Sequence, residues 1–302
     1  MKSLPIFPAA VHRYVSKVFG EANRRLAEKI ARVPNCPEPS LDLTLVEHLT
    51  QYSGGQVVAP GWAVRIDVHY LGGLRHFYRW EIADIGVLVF AKRGNSVLSK
   101  KVALLQSKRL YPEKHGIDEE TAEDYRIGFG RLLPAGPSAP SVALPHQFNF
   151  TGKSAYQSLR AGDEQFKAIE AYEAQQRLPV HYLLYNPWKV DSNYTLPLTK
   201  LPRLGVKSNG GARIVPARVL RGVVNGKAAG YAPTFDDVAT AISKKVADRH
   251  GWRLEHFMSG LLLKCKEGAV FESTEEANID SLFNRRSGPI AAAVAVTIEQ
   301  FD

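Results

Sequence analysis

The sequence predicts an α/β protein in which helices pack against a central sheet. Apolar runs with the alternation typical of strands are concentrated between residues 57 and 110. Amphipathic helical patterns precede and follow these runs. The composition, 45% hydrophobic and 23% charged, is that of an ordinary soluble globular protein. At 302 residues, the chain has room for one large domain or two small ones.

Two helices are predicted ahead of the strands. The first runs from about Val11 to Val33 and is ended by three prolines, Pro34, Pro37 and Pro39. The second covers Ser40–Tyr52, where Leu45, Leu49 and Tyr52 follow helical spacing and form one apolar stripe. Either Ser40 or Asp42 can cap its start. Glu47 lies beside the stripe, on the helix edge that we expect to face the strands.

Three strand segments follow, over residues 57–70, 74–90 and 101–110. The first alternates Val64, Ile66 and Val68 with polar residues. A turn at residues 93–95 (Arg-Gly-Asn) joins the second to the third. The predicted order is therefore helix, strand, strand, strand.

The middle of the chain contains one more helix and one buried strand. Residues 118–133 are predicted to be a charged helical piece, and the Pro/Ser/Ala-rich residues 134–145 a long loop. A helix over Ser154–Gln176 places Leu159, Phe166, Ile169 and Tyr172 on one face, with Gln165 close to that face. The apolar run Pro179–Pro187 predicts a buried strand.

The C-terminal third is basic at its start. Residues 192–235 contain no Asp or Glu but seven basic side chains, around a strand-like centre at residues 213–224. Helices are predicted over Phe235–His250, with Thr234 as its N-cap, and over Arg253–Lys264. The Ala/Val pattern of Ile290–Ile298 fits either a strand or a helix.

The charge of the chain favours a polyanionic partner. The formal net charge is +9 and the isoelectric point about 9.4. Lys and Arg contacts to phosphates supply most non-specific affinity for nucleic acid. Two distant cysteines suit a reducing compartment, and no stretch has the roughly 20 apolar residues that span a bilayer. We therefore expect a cytoplasmic protein that binds nucleic acid and no membrane.

The candidate chemistry lies in two adjacent predicted strands. Asp84 begins an otherwise apolar strand, and Gln106-Ser107-Lys108 ends the next one. Because side chains alternate along a strand, Gln106 and Lys108 face the same side. If Asp84 shares that side, a carboxylate, an amide and an ammonium group converge. Phosphodiester hydrolysis needs such a set, because Mg²⁺ prefers a few carboxylate oxygens and a lysine can offset transition-state charge.

This pattern resembles the PD-(D/E)XK nuclease superfamily, the restriction-endonuclease-like fold, over about residues 40–187. The resemblance implies a mixed sheet flanked by helices in an αβββαβ core. Residues 188–302 lie outside the resemblance, and we predict that they form a C-terminal α+β extension. It implies that Asp84, Gln106 and Lys108 form the catalytic motif, with Gln106 in place of an acid. It implies that Glu47 is a further acid on the first core helix and Gln165 a further catalytic residue on the later helix. Mg²⁺ or Mn²⁺ would be held by Asp84, Glu47 and Gln106.

We divide the chain into a nuclease-like core with an N-terminal helical extension, residues 1–190, and a basic substrate-gripping region, residues 191–302, that can pack into the same domain. The second region supplies the predicted phosphate contacts, which are Lys207, Arg213, Arg218 and Arg221.

The functional prediction is a metal-dependent DNA endonuclease. Family likeness places such proteins in restriction, phage-defence or mobile-element systems. RNA, for example tRNA, is the alternative substrate, because the chemistry at phosphate is shared. Gln106 also leaves open a non-cleaving nucleic-acid-binding module. A two-fold homodimer would suit the cutting of both strands.

Overall fold

The computed structural model describes residues 4–70, 82–113, 146–196, 198–200, 202–242, 251–271 and 290–301. The start of the strand predicted over 74–90, the charged piece 118–133 and the loop 134–145 lie outside the described residues. So does most of the second half of the helix predicted to run to His250.

Two helices open the structure, as the sequence predicts. Helix α1 covers Ala9–Arg32 and helix α2 covers Glu38–Thr50. Helix α2 begins two residues before the predicted start, with Pro39 in its first turn, where a missing N–H costs nothing. The prediction that Ser40 or Asp42 caps this helix is therefore wrong. Asp42 lies inside the helix, and its side chain is available for another contact.

Four strands follow in two hairpins. Strands β1 (Gln56–Ala59) and β2 (Trp62–Tyr70) pair antiparallel, and so do β3 (Ala83–Arg93) and β4 (Ser96–Arg109). Gly94 has a φ of +52° in the predicted turn between β3 and β4, a conformation that glycine adopts without strain. Strand β4 extends past the start of β3, so its last residues have no β3 neighbour.

The middle of the chain supplies the second helical layer. Strand β5 covers His146–Phe150, helix α3 Glu164–Gln176, strand β6 Val180–Tyr185 and strand β7 Ser192–Leu196. The helix predicted from Ser154 begins only at Glu164, because Gly162 has a φ of +84° and the Asp163 side chain caps the Gln165 N–H. Phe166 of α3 packs on Tyr182 of β6 with ring centroids 5.7 Å apart.

The C-terminal region alternates short strands and helices. They are β8 (Arg213–Pro216), α4 (Ala217–Val224), α5 (Phe235–Ala241), β9 (Trp252–Arg253), α6 (Leu254–His256) continued by a π-helical turn (Phe257–Leu262), β10 (Ala269–Phe271) and β11 (Ile290–Gln300). Only the first four residues of the predicted strand-like centre form a strand, because the chain turns helical after Pro216. Thr234 caps α5 as predicted. Residues 290–298, which the sequence left open, are a strand.

Among the described strands, nine form one mixed sheet in the order β1-β2-β11-β3-β4-β6-β8-β9, with β10 also paired to β4. Strand β4 is antiparallel to β3 and parallel to β6. Strand β11 lies between β2 and β3, antiparallel to the first and parallel to the second. Strands from residues 213–300 are thus part of the central sheet.

Helices cover both faces of this sheet. Tyr182 contacts α3, and the Tyr185 hydroxyl bonds to Asp42 on α2. Residues an odd number apart on a strand point to opposite faces, so α2 and α3 lie on opposite sides. The structure is therefore α/β with a mixed central sheet flanked by helices. None of the described helices is long and apolar enough to cross a bilayer.

Candidate active site

A polar cluster lies where β3 begins and β4 extends beyond it, still paired with β6 on its other side. The last β3–β4 pair is Ile85 with Leu105, so Asp84 and Gln106 face each other one residue further on. Gln106 donates its side-chain Nε2 to Asp84 Oδ2 at 2.5 Å. The structure thus brings together the acid and the amide that the sequence predicts on adjacent strands.

Carboxylates take the place of the missing β3 backbone along the end of β4. The backbone N–H groups of Ser107 and Arg109 point to the same side, because residues two apart in a strand share an orientation. Ser107 N donates to Asp84 Oδ2 at 2.6 Å, and Arg109 N donates to Glu38 Oε2 at 2.9 Å. Two acids are therefore fixed at this end of the sheet by strand geometry.

Asp42 adds a carboxylate from α2. Its Oδ1 accepts from the Ser107 hydroxyl at 2.5 Å and from the Tyr185 hydroxyl at 2.7 Å. Ser107 contacts Asp84 through its backbone and Asp42 through its side chain. The two carboxylates therefore lie on either side of one residue.

Lys108 is the cation of the cluster. Its side chain is nearly buried, with 6% of the residue surface exposed, and its Nζ lies 3.5 Å from Glu38 Oε1. Burial alone opposes the charge, but the carboxylates of Glu38, Asp84 and Asp163 outweigh it and raise the pKa of Lys108. The ammonium group is therefore held charged among several acids.

The acids themselves resist ionisation. Burial raises the pKa of Asp42 to about 7, against the hydrogen bonds from Ser107 and Tyr185 that favour its charged form. Burial and the charge of Asp42 raise the pKa of Asp84 well above its ordinary value. Glu38 adds to both effects. The cluster therefore contains more carboxyl groups than Lys108 alone can keep ionised, an electrostatic setting in which a bound cation would favour their charged forms.

Both aspartates border an open cleft of about 540 Å³. Its lining is otherwise mostly apolar and comes from the start of α2, the end of β2 and the beginning of β11: Pro39, Ser40, Leu43, Val46, Tyr70, Ala291 and Ala292. Asp42 and Asp84 can therefore be reached from outside, whereas Gln106, with 2% of its surface exposed, lies behind them.

Two predicted site residues are placed differently. Glu47 is exposed and lines a separate groove between α1 and α2, so it does not join Asp84. Its position on α2 turns it away from Asp42, five residues earlier. Gln165 lies in the first turn of α3, where its backbone N–H is capped by Asp163 at 3.0 Å. Asp163 is the residue of this turn whose charge acts on Lys108.

Of the four predicted phosphate contacts, two are held by contacts within the protein and two are exposed. Arg213 has no exposed surface and donates to the carbonyls of Gly210, Gly251 and Ser208, so its assignment to nucleic acid is corrected. Arg221 pairs with Glu173 at 2.6 Å. Arg218 and Lys207 are exposed, as the prediction requires.

The sequence reasoning missed Glu38 and Asp42. Asp42 was considered only as a helix cap, and Glu38 was placed before the helix. The available signal was the Pro37-Glu38-Pro39 stretch, because a proline near a helix start would have moved α2 two residues earlier. Asp42 would then have fallen within the first two turns, on the face next to the strands.

The donor set fits a hard divalent cation. Gln106 Oε1 is buried and has no hydrogen-bond partner among the described residues, although Nε2 of the same amide is bonded. With Asp84 and Asp42 it offers oxygen ligands of the type that Mg²⁺ takes. In the described part of the chain, no group of three or more His, Cys, Asp or Glu side chains is arranged to hold a metal. Mg²⁺ usually uses only one or two carboxylates and keeps several waters, so Asp84 and Asp42, which border the same cleft, are a sufficient carboxylate set.

Comparison of the chain with protein-family models, with curated proteins and with solved structures found no match in any of the three.

Proposed function

We propose that this protein hydrolyses phosphodiester bonds of nucleic acid with the help of Mg²⁺ or Mn²⁺, as an endonuclease that acts on DNA in preference to RNA. The observation that carries the proposal is the convergence of Asp84, Gln106 and Lys108 at one end of β3 and β4. Asp42 supplies a second carboxylate on the same cleft.

Each side chain has a role that follows from its place. Asp84 and Asp42 would hold the cation, which when bound neutralises phosphate charge and lowers the pKa of water. Ser107 and Tyr185 position Asp42 through two hydrogen bonds. Gln106 holds Asp84 through its amide N–H, and its own carbonyl oxygen has no hydrogen-bond partner among the described residues. Lys108, held charged, offsets the negative charge that develops on the phosphate.

The order of elements gives further support. Helix α2 is followed by strands β1 to β5, helix α3 and strand β6. If the edge strand β1 and strand β5, which belongs to a separate two-stranded sheet, are left out, the order is helix, three strands, helix, strand. This is the order implied by the resemblance to PD-(D/E)XK nucleases. The insertion of β11 between β2 and β3 departs from a simple meander of three neighbouring strands.

The test is a cleavage assay with three variants, Asp84→Asn, Asp42→Asn and Lys108→Met, on metal-free protein supplied with Mg²⁺. Plasmid DNA, single-stranded DNA and total RNA are compared side by side. We expect cleavage by the wild type to fall at least about 100-fold in each variant, the usual scale for losing an electrostatic stabiliser.

Asp67→Asn is the matched control, because Asp67 is a carboxylate of β2 that pairs with Arg65 at 2.7 Å, away from the cluster. Wild-type cleavage that survives both Asp84→Asn and Lys108→Met would refute the proposed site. Cleavage confined to RNA would change the substrate and leave the site in place.

A non-catalytic nucleic-acid-binding module is the second candidate. It is favoured by the enclosure of Lys108 and its pairing with Glu38 at 3.5 Å, which keep the ammonium group from the open cleft. Nucleic-acid binding by a wild type that cleaves none of the three substrates with Mg²⁺ or Mn²⁺ would favour this candidate.

A further inference from the structure

A second groove runs between α1 and α2, on the other side of α2 from the cleft. It has a volume of about 480 Å³. Helix α1 contributes Arg25, Lys29 and Arg32, which follow one another at i, i+4 and i+7 and so share one helix face. The remaining lining residues are Glu28 of α1, three residues of α2 (Thr44, Glu47 and His48) and Gln51, which caps the end of α2.

The three cations of this groove are not neutralised by ion pairs. Within the described residues, none of them has a carboxylate oxygen within salt-bridge distance, although Glu28 and Glu47 line the same groove. This contrasts with Arg221, which is paired with Glu173. Arg25 and Arg32 are exposed, so their guanidinium groups can meet a ligand without breaking an internal contact.

The side chains of Gln51 and Thr44 in the groove are already hydrogen-bonded to backbone carbonyls, whereas His48 Nε2 has no partner among the described residues. Gln51 donates Nε2 to the His48 carbonyl at 2.7 Å and lies 2.8 Å from His48 Nδ1. The Thr44 hydroxyl donates to the Ser40 carbonyl at 2.7 Å. Burial and the charge of Arg25 lower the pKa of His48, so this ring adds no cation. Recognition in the groove therefore depends on the three α1 side chains.

We propose that this groove binds the phosphate backbone of the nucleic acid that flanks the cleft. The proposal rests on the proposed function in naming nucleic acid as the ligand. Seven residues of α1 separate Arg25 from Arg32, or about 10 Å along the axis at 1.5 Å per residue. A DNA strand rises about 3.4 Å per nucleotide, so the three cations span about three nucleotides.

The placement of α2 connects the groove to the chemistry. One side of this helix presents Asp42 to the cleft, and the other presents Glu47 to the groove. A nucleic-acid strand that crosses the exposed surface of α2, near Leu43, would have one phosphate beside the aspartates and other phosphates beside Arg25 and Lys29. The cations and the cleft then act on the same strand.

The experiment measures binding without cleavage. Arg25→Gln, Lys29→Gln and Arg32→Gln are combined in one variant, and the probe is a fluorescein-labelled DNA duplex or single strand in EDTA. The matched control combines Lys153→Gln, Lys189→Gln and Lys264→Gln, three exposed cations that neither line the groove nor belong to the predicted phosphate contacts. Fluorescence anisotropy gives affinity as a function of salt concentration.

We expect the groove variant to lose at least about tenfold in affinity and the slope of log K against log salt to fall by about 2 to 3, because each phosphate contact contributes about 0.9. The control variant should change the slope by less than about 1. An unchanged slope in the groove variant, or an equal or larger loss in the control, would overturn the proposal.

Glu47→Gln gives an independent readout with the opposite sign. Removal of this carboxylate should tighten binding by about threefold, since it leaves the groove cations unopposed. Weaker binding in EDTA would contradict the proposal, and a loss of Mg²⁺-dependent cleavage at saturating protein would give Glu47 the metal-binding role expected from sequence.

The two proposals can fail separately. If the groove variant binds DNA weakly and the wild type cleaves no substrate, the groove proposal is supported and the proposed hydrolysis is refuted. If cleavage depends on Asp84 but the groove variant binds DNA as tightly as the wild type, the proposed hydrolysis is supported and the groove proposal is refuted.

Discussion

Gln106 donates to Asp84 across the β3–β4 ladder at 2.5 Å, while the carbonyl oxygen of the same amide has no partner among the described residues. A glutamate at this position could not donate. It would face Asp84 as a second negative charge in a nearly closed space. The amide therefore allows Asp84 to be held in place without a cation.

Gln106→Glu should make the stability of the folded protein depend on a bound metal ion. In EDTA we expect the variant to unfold at lower temperature than the wild type, because two adjacent carboxylates repel each other. Added Mg²⁺ should raise its melting temperature by more than it raises that of the wild type, since ligand binding stabilises the folded state. Thermal unfolding against Mg²⁺ concentration checks this, and Gln106→Leu, which lacks a ligand oxygen, should show no added response.

Asp42→Asn should change how stability depends on pH. The pKa of Asp42 is raised to about 7 in the folded protein, from an ordinary value of 3.8. Between these values the folded state binds more protons than the unfolded state, so this residue makes stability fall as pH rises from about 4 to about 7. An asparagine keeps an acceptor for Ser107 and Tyr185 and does not titrate.

As the pH rises from 4 to 8 in EDTA, the free energy of unfolding of Asp42→Asn should therefore increase, relative to that of the wild type, by on the order of 2 kcal/mol. Urea unfolding at several pH values measures the difference. A constant difference across the range would mean that the Asp42 carboxyl titrates normally.

Gly211→Ala should destabilise the fold more than Gly226→Ala. Both glycines have a φ of +73°, so both substitutions incur the left-handed backbone cost of about 1 kcal/mol. A Cβ at Gly211 would also lie 2.7 Å from Asn23 Oδ1, the atom that accepts from the Ala212 N–H, whereas Gly226 has no atom within 4 Å. We expect a total loss of about 3 kcal/mol at Gly211, because overpacking adds about 1–3 kcal/mol. Equal losses in urea unfolding would argue against the tight Asn23 contact.

Arg213→Lys should affect folding and not nucleic-acid affinity. The buried guanidinium donates to three backbone carbonyls, and a lysine cannot reproduce its planar set of donors. We expect a loss of at least about 2 kcal/mol, against less than about 0.5 kcal/mol for Arg218→Lys on the surface. DNA affinity below the melting temperature should stay unchanged in Arg213→Lys, and a selective loss of affinity would reinstate the original assignment.

The sequence predicts the parts of the fold that are coded locally. Strands β4 and β6 are long buried runs, and the turn at Gly94 is specified by its residue type. These features depend on residues close together in the chain, so a single sequence is sufficient to predict them. The Asp84–Gln106 contact needs more, because the turn alone would set Asp84 opposite Leu105, and a register shift between Ala91 and Lys92 brings Gln106 there.

The predictions that are wrong concern residues whose environment is set by packing between segments far apart in the chain. Helix α2 contacts α1 on one side and strands β2 and β4 on the other, so its apolar residues do not show which flanking acid meets the sheet. Asp42 and Glu47 are therefore equivalent in sequence and separated only by the fold. The burial of Arg213 could not be predicted for the same reason. Its guanidinium bonds to the carbonyl of Gly251, 38 residues later in the chain, and no local sequence pattern indicates that contact.

The place of β11 has a consequence for biosynthesis. Strand β11 is made after every other described strand, yet it fills the gap between β2 and β3. Before β11 is made, the other strands of this sheet can form only two separate parts: the β1–β2 hairpin, and β3 and β4 with β6, β8, β9 and β10. The two halves join when residues 290–300 emerge, so a nascent chain interrupted before that point would carry the aspartates of the cleft without the strand that completes its wall.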